Sequence, residues 1–324
     1  MKILFLGDDR ENRGPSNVNR SIIQHKSKRI LTVNHSLRLC KYLEALCKAS
    51  VSQIIILSGV SKFNCIFLKI AKLLGKKTVY LMHGCAEYEA TLDGRKENGN
   101  SFRKERDILK NADLLLPVSE KYSLWVKDRY PQYAEKTGYW QIGIPEISVD
   151  LSHVERQGNC VSAAGGDWVL KKNDIICEAV EKLKGTVHLT VFGNVQNPDR
   201  NTRQSYIEWA GNVEHTLFIE SLKKQDLFIV NSAIESFCVS VMEALACGCS
   251  ILVSNNVGAS GLMQLKDQDI IFDTNDSDEI ARKIEYILEH PNNQRIVDPI
   301  DWKYLRWSEA VKRLEDVCEA LVKK

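Results

Sequence analysis

Short apolar runs alternate with longer segments of helical period along nearly the whole chain. Residues 2–6 read as a buried strand stopping at Gly7, with a turn at Gly14-Pro15-Ser16-Asn17. A helix is predicted over 17–25 and a strand over 30–33. Leu37, Leu39, Cys40, Leu43, Leu46 and Cys47 then recur near every 3.6 residues, which predicts another helix. Residues 54–57 form a strand closed by Ser58-Gly59. Residues 63–74 form an apolar helix ending at Gly75, a residue suited to the left-handed C-cap. The strand at 78–82 carries His83-Gly84 at its C-terminal edge. Residues 87–100 are polar, contain Gly94 and Gly99, and read as a mobile loop. A helix (102–111), a strand (113–118), a helix (120–129) and a last strand (139–142) complete the first unit. Residues 143–158, with Pro145 and no period, are the linker. The pattern then restarts, with strands at 160–164, 187–192, 227–230, 251–253 and 270–272. Helices fall at 173–183, 216–224, 239–247, 277–289 and, long and amphipathic, 302–322.

Strands that alternate with helices give a parallel sheet covered on both faces, hence the α/β class and a doubly wound topology. The alternation occurs twice in 324 residues, which predicts two Rossmann-like domains, 1–145 and 146–302. Ligands of such sheets bind beyond the C-terminal ends of the strands, and with two domains the cleft between them is the natural place.

Composition narrows the class. Hydrophobic residues make up 44% and charged residues 27%, which excludes a disordered or coiled-coil chain. Apolar runs such as 54–57 and 114–116 are far shorter than the roughly 20 residues of a membrane span. The N-terminus runs into Asp8-Asp9 without a signal-peptide core. A cytoplasmic protein, free or peripheral on the inner membrane face, is expected. Ten cysteines without a C-x-x-C pair, and a Cys247-Gly-Cys249 without a counterpart, argue for buried reduced thiols and no metal site.

The net charge of +2 conceals an asymmetry: residues 1–150 carry +9 and the remainder −7. Residues 21–80 hold 11 basic residues and one acid, Glu44. Such a stretch suits an anionic membrane surface or a nucleic acid, or is simply a solvated face. No nucleic-acid motif or stacking platform accompanies it, and its bases alternate with apolar positions expected to be buried, so no nucleic acid is expected.

The chemistry concentrates in residues 231–248, where a strand is followed by a small-residue loop and a helix. Glu235 and Glu243 lie eight apart, a weak signal by itself. In this setting the main chain of Ser236, Phe237, Cys238 and Val239 can offer N–H groups to a phosphate at the helix N-terminus. Glu243, one turn into the helix, can accept from a ribose diol, and Glu235 can meet sugar hydroxyls.

Residues 235–248 resemble the E-x7-E segment of the retaining GT-B glycosyltransferases, family four (glycosyl transferases group 1), which use nucleotide-sugar donors. Residues 211–221, 251–258 and 270–278 resemble the elements flanking that motif. Trp307-Ser-Glu-Ala-Val is similar to the closing helix, which in that fold packs back onto the first domain (303–324 here). Residues 105–120 are likewise family-like. The resemblance implies a GT-B fold and transfer of a hexosyl unit from a UDP- or GDP-linked sugar to a glycan or lipid-linked acceptor. It further implies retention of configuration, no cofactor or metal, and a role in bacterial surface polysaccharide synthesis.

The resemblance also distributes roles. Glu235, Lys171 and His83 become the catalytic residues: Lys171 neutralises the leaving diphosphate, and His83 lies near the donor sugar. Glu243, residues 236–239, Gly165, Gly166, Lys172, Asn194, Val213 and Gly14 become donor-binding. Asn194 stands at a ligand-facing strand end, Val213 brackets the base, and Gly14 lies under the donor phosphates. The family pattern has Arg where this chain has Gly166, and glycines where it has Ser236-Phe237-Cys238. Arg is a bidentate phosphate ligand that glycine does not replace. The same chain therefore also reads as a weakly active or inactive GT-B-like subunit that binds a nucleotide or a partner.

Overall fold

The computed structural model describes residues 1–10, 14–35, 37–92, 94, 100–147, 158–196 and 204–323. The chain divides into two compact units, Met1–Ile144 with Trp302–Lys324, and Pro145–Asp301. Most of the linker expected at 143–158, residues 148–157, lies outside the described residues.

The first unit is built on five parallel strands: β1 (Ile3–Leu6), β2 (Ile30–Thr32), β3 (Ile54–Ser58), β4 (Lys77–Met82) and β5 (Leu114–Pro117). Their order is β2-β1-β3-β4-β5. Every residue of β1 and β3 is buried, as strands covered on both faces require. Helices α1 (Gly14–His25), α2 (Arg38–Val51), α3 (Lys62–Leu73), α4 (Ala86–Leu92), α5 (Asn100–Asn111) and α6 (Glu120–Arg129) alternate with them. The Ser61 hydroxyl accepts from Asn64 N–H and caps α3, and Ser119 accepts from Tyr122 N–H and caps α6. Such caps are worth about 1 kcal/mol each.

Three expectations are corrected here. Residues 139–142 are not a strand. They run along the outer edge of β5, where Trp140 N–H donates to the Pro117 carbonyl at 2.9 Å. Proline has no N–H to return, so the contact stays one-sided, with Ile142 N–H donating in turn to the Val118 carbonyl at 3.3 Å. Second, α4 occupies the beginning of the expected loop. The Glu105 carboxylate, distant in sequence, accepts from Glu87 N–H at 3.0 Å at the start of α4. Glu87 and Glu89 in the first turn suit the helix dipole. Residues 93 and 95–99 of that loop lie outside the described residues. Third, the periodic leucines of α2 are outward. Leu39, Leu43, Leu46 and Cys47 are exposed, and only Ala45 and Ala49 are buried. Small alanines let the helix lie close to the sheet and leave its larger side chains outside.

The C-terminal helix, Trp307–Lys323, belongs to this unit and starts later than residue 302. Trp140 Nε1 donates to the Ala310 carbonyl at 2.7 Å, and Ile144 N–H to the Leu305 carbonyl at 2.8 Å. Gly143 backs directly on Trp307: a Cβ there would lie 2.7 Å from the indole and 2.8 Å from its Cα.

The second unit contains β6 (Cys160–Ala164), β7 (His188–Phe192), β8 (Ile207–Gly211), β9 (Leu227–Val230), β10 (Ser250–Ser254) and β11 (Ile270–Ile271). All are parallel, in the order β8-β7-β6-β9-β10-β11. Helices α7 (Asn173–Lys182), α8 (His215–Leu222), α9 (Val239–Ala246), α10 (Ser277–Glu289) and α11 (Asn293–Val297) cover the sheet, and the C-terminal helix is α12. One core joins Val161, Ile176, Val180, Leu189, Val191, Ile229, Leu252, Ile280 and Ile284. Full burial of such side chains contributes about 1.5–3 kcal/mol each. Among the described residues no helix is long and apolar enough to cross a membrane.

The contact at Gly143 makes a direct prediction. Gly143→Ala should cost about 1–3 kcal/mol by overpacking against Trp307. Denaturant unfolding checks this, and an unchanged midpoint would remove the contact from the account.

Candidate functional site

In an open α/β sheet the ligand crevice lies where the strand order reverses, outside the carboxyl ends of the strands. In the second unit the reversal falls between β6 and β9. The segment after β6 ends in a tight turn, Val169–Lys171, and the segment after β9 carries Glu235. The Lys171 ammonium and the Glu235 carboxylate form a half-buried ion pair across this point. Ala233 N–H donates to the Leu170 carbonyl at 2.9 Å and ties the two segments together. Glu235 is fixed from its far side: its N–H donates to Asn256 and its carbonyl accepts from Gly258 N–H. The helix α9 starts just beyond, after Cys238 at φ 78°, so its first N–H groups lie a few residues from Glu235 along the chain.

The β6 edge is packed main chain against main chain. Gly165 and Gly166 N–H both donate to the Phe192 carbonyl at 2.8 Å. Gly165 lies at φ 104°, and a Cβ there would touch the Lys171 side chain at 2.5 Å. Gly166 lies at φ 62°, and a Cβ there would collide with the Asn194 carbonyl. Asn173 secures the bend by donating to the Ala164 and Gly166 carbonyls. The position where the family pattern has arginine therefore has neither the backbone conformation nor the space for a side chain.

Glu243 is buried on α9, and its Oε1 lies 2.6 Å from Nε2 of His215 on α8. The carboxylate raises the His215 pKa above its ordinary value, chiefly through this hydrogen bond. Val213, two residues before His215, is exposed. The Lys172 ammonium is held by Thr274 Oγ1 at 2.7 Å and Asn275 Oδ1 at 2.8 Å. Phe237 buries its ring in the core, so its main chain is the part that can meet a ligand.

The first unit carries a cavity of about 780 Å³ within its own fold, lined by residues of the segments after β1, β3 and β4. The strand order reverses here too, between β1 and β3. His83 lies in this cavity with Asp8, Asn19, Ser58, Lys41 and Glu105. Its Nε2 is 2.7 Å from Ser58 Oγ, which donates to Asn19 Oδ1 at 2.5 Å, and Asn19 Nδ2 donates to the Asp8 carbonyl. The last bond fixes the Asn19 amide orientation, so the single Ser58 proton goes to Asn19. Ser58 then accepts from His83, and the proton of neutral His83 is on Nε2. Burial pushes the His83 pKa down to about 4 and raises that of Glu105. Gly14, the first residue of α1, is exposed; its neighbours Pro15 and Ser16 line the cavity.

The second unit thus gathers Lys171, Glu235, Gly165, Gly166 and Asn194, while His83 and Gly14 belong to the first unit. No local motif marks the roles of His215, Ser58 and Asn19, each of which acts through a partner 11 or more residues away, and Asn173 acts locally, on carbonyls seven and nine residues back. Among the described residues no group of three or more His, Cys, Asp or Glu side chains is arranged to hold a metal ion.

Comparison with known proteins places this geometry. Residues 169–299 match the glycosyl transferases group 1 family. The matched segment contains Lys171, Glu235, His215 and Glu243. A curated relative, a phosphatidylinositol N-acetylglucosaminyltransferase subunit of Arabidopsis thaliana, is 28% identical over 128 residues. The match spans 39% of this chain but only 28% of the relative's length. Among solved structures, HepE of Anabaena in complex with UDP aligns with a TM-score of 0.72 at 15% identity, covering 99% of this chain and 100% of that one. Sucrose-phosphate synthase of Thermosynechococcus elongatus aligns with a TM-score of 0.71 at 14% identity, covering 99% of each chain. At these identities the likeness establishes the fold: two Rossmann-like parallel-sheet domains of the GT-B class.

Two outcomes follow from the site. Gly166→Arg should not restore a phosphate ligand; it should lower stability by about 1–3 kcal/mol, read as a lower melting temperature. His83 is neutral in the folded state down to about pH 4, while an unfolded histidine protonates near 6.5. The unfolded chain then binds the extra proton between these values, so the His83 contribution is complete above 6.5 and is lost as pH falls toward 4. Melting curves of wild type and His83→Gln should diverge in that window, and parallel curves would place His83 outside a buried environment.

Proposed function

We propose that the protein transfers a glycosyl unit from a nucleoside-diphosphate sugar to a hydroxyl of a glycan or lipid-linked acceptor, with retention of configuration. The observation that carries this reading is the Lys171–Glu235 pair at the switch point of the second unit, inside the segment that matches the glycosyl transferases group 1 family. HepE of Anabaena, which shares the fold, was solved with UDP and with UDP-glucose, so a UDP-sugar is the first donor to try.

In this reading Lys171 and Glu235 hold each other until the donor arrives. Lys171 then turns to the diphosphate and Glu235 to the sugar hydroxyls. The N–H groups opening α9 receive the phosphates, and Glu243, oriented by His215, accepts from the ribose. The bond from the anomeric carbon to the diphosphate breaks, and the bond to the acceptor oxygen forms on the same face. The acceptor proton leaves on the diphosphate, whose charge Lys171 offsets.

The Gly166 edge favours a second reading, a GT-B-like subunit that binds without turnover. The relative from Arabidopsis thaliana is itself named as one subunit of a transferase.

Lys171→Ala should lower kcat by about 10²–10³-fold. Glu243→Ala should weaken UDP affinity by about 10–100-fold, the loss of a charged hydrogen bond. Calorimetric titration with UDP and GDP, followed by a turnover assay with their sugars, checks both. Wild-type UDP affinity in Glu243→Ala would remove that carboxylate from the site. Nucleotide binding without turnover of any sugar donor would leave the second reading.

A further inference from the structure

The Glu243 side chain is only 7% exposed, whereas the His215 side chain that meets its Oε1 is 60% exposed. The imidazole therefore stands on the outer side of a buried carboxylate. A ligand arriving from solvent reaches Glu243 through the place that the ring occupies.

The ring is lightly held. Among the described residues Glu243 is its one hydrogen-bond partner. Glu243 is also the one ionisable side chain of α9, the helix that packs against α8 here. On the histidine's own side, Glu214 is exposed at the N-cap of α8 and makes no side-chain cap bond. Further along, Glu220 and Lys223 pair with each other at 2.6 Å. His215 is the first residue of α8, and the N–H groups of a first helical turn disfavour a cation. The carboxylate of Glu243 overcomes this and raises the His215 pKa.

The ribose contact assigned to Glu243 calls on the same carboxylate, and the inference rests on that donor reading. We propose that the ribose diol of the nucleotide displaces His215 from Glu243, and that the freed imidazolium gives its proton to solvent, so that nucleotide uptake releases a proton. The hydrogen bond from Nε2 to Oε1 breaks, and bonds from the ribose hydroxyls to the carboxylate form. A ring N–H proton passes to water and leaves its electron pair on the nitrogen. Glu243 stays ionised throughout. His215 is a positioning residue: it orients the carboxylate in the free protein and then yields it to the ribose.

The sign follows from the two states. The free protein keeps the His215 proton up to the raised value, and the complex keeps it only to the ordinary value of about 6.5 or below. Between these values binding releases up to about one proton, and affinity rises with pH by up to about tenfold per unit. Above the window this group confers no pH dependence.

Calorimetric titration with UDP in buffers of different ionisation enthalpy counts the proton. The terminal phosphate of UDP itself titrates near about 6, so the readout is the difference between wild type and His215→Gln, checked for equal melting temperature. Wild type should release up to about one proton more, and its UDP affinity should climb more steeply with pH. His215→Ala should behave as His215→Gln does. A UDP lacking both ribose hydroxyls, 2′,3′-dideoxyuridine diphosphate, should bind more weakly and without the excess proton. Equal proton release by wild type and variants, or the same excess with the dideoxy nucleotide, overturns the displacement and leaves the donor reading standing. No binding of UDP or GDP by the folded wild type overturns both.

Discussion

A parallel strand cannot return by a tight turn, and that constraint organises both halves of the molecule. Each strand must be followed by a crossover, the crossovers cover both faces of the sheet, and all strand ends of one polarity meet along one edge. Where the strand order reverses, two of these ends diverge and leave a crevice. In one unit the reversal separates β1 from β3, and in the other β6 from β9. The Lys171–Glu235 pair and the His83 cavity occupy these two places because the topology leaves no other opening of that kind in either sheet.

The pairings within the sites are economical. Lys171 and Glu235 neutralise each other in the free protein, so neither half-buried charge is left uncompensated. Glu243, a carboxylate that is buried outright, is hydrogen-bonded by His215. A ligand that takes over either pair exchanges one partner for another and avoids the cost of uncovering a bare charge. The main-chain packing at Gly165, Gly166 and Asn194 makes a rigid floor beside them.

Most of the fold was legible because buried parallel strands read as continuous apolar runs, and the runs at 54–57, 160–164 and 227–230 stand out by that rule. The acidic pair at 235 and 243 was legible through its strand–loop–helix setting. Other parts depend on partners far along the chain. The helix α4 owes its start to Glu105, the absence of a strand at 139–142 to Pro117, and the orientation of Glu243 to His215. Gly166 was visible as a missing arginine, but its reason was not: the Asn194 carbonyl occupies the space. The periodicity of α2 revealed a helix without revealing which side faces outward, because alanine carries too little apolar surface to announce the buried face.

The chain crosses from the first unit to the second after Ile144 and returns at Trp302. The return supplies Trp307 behind Gly143 and the carbonyl that receives Trp140. On the ribosome, therefore, the second unit has its whole sequence available before the first does. The early-made half must wait with Trp140 unpartnered until residues 302–323 emerge, and the order of completion runs opposite to the order of synthesis.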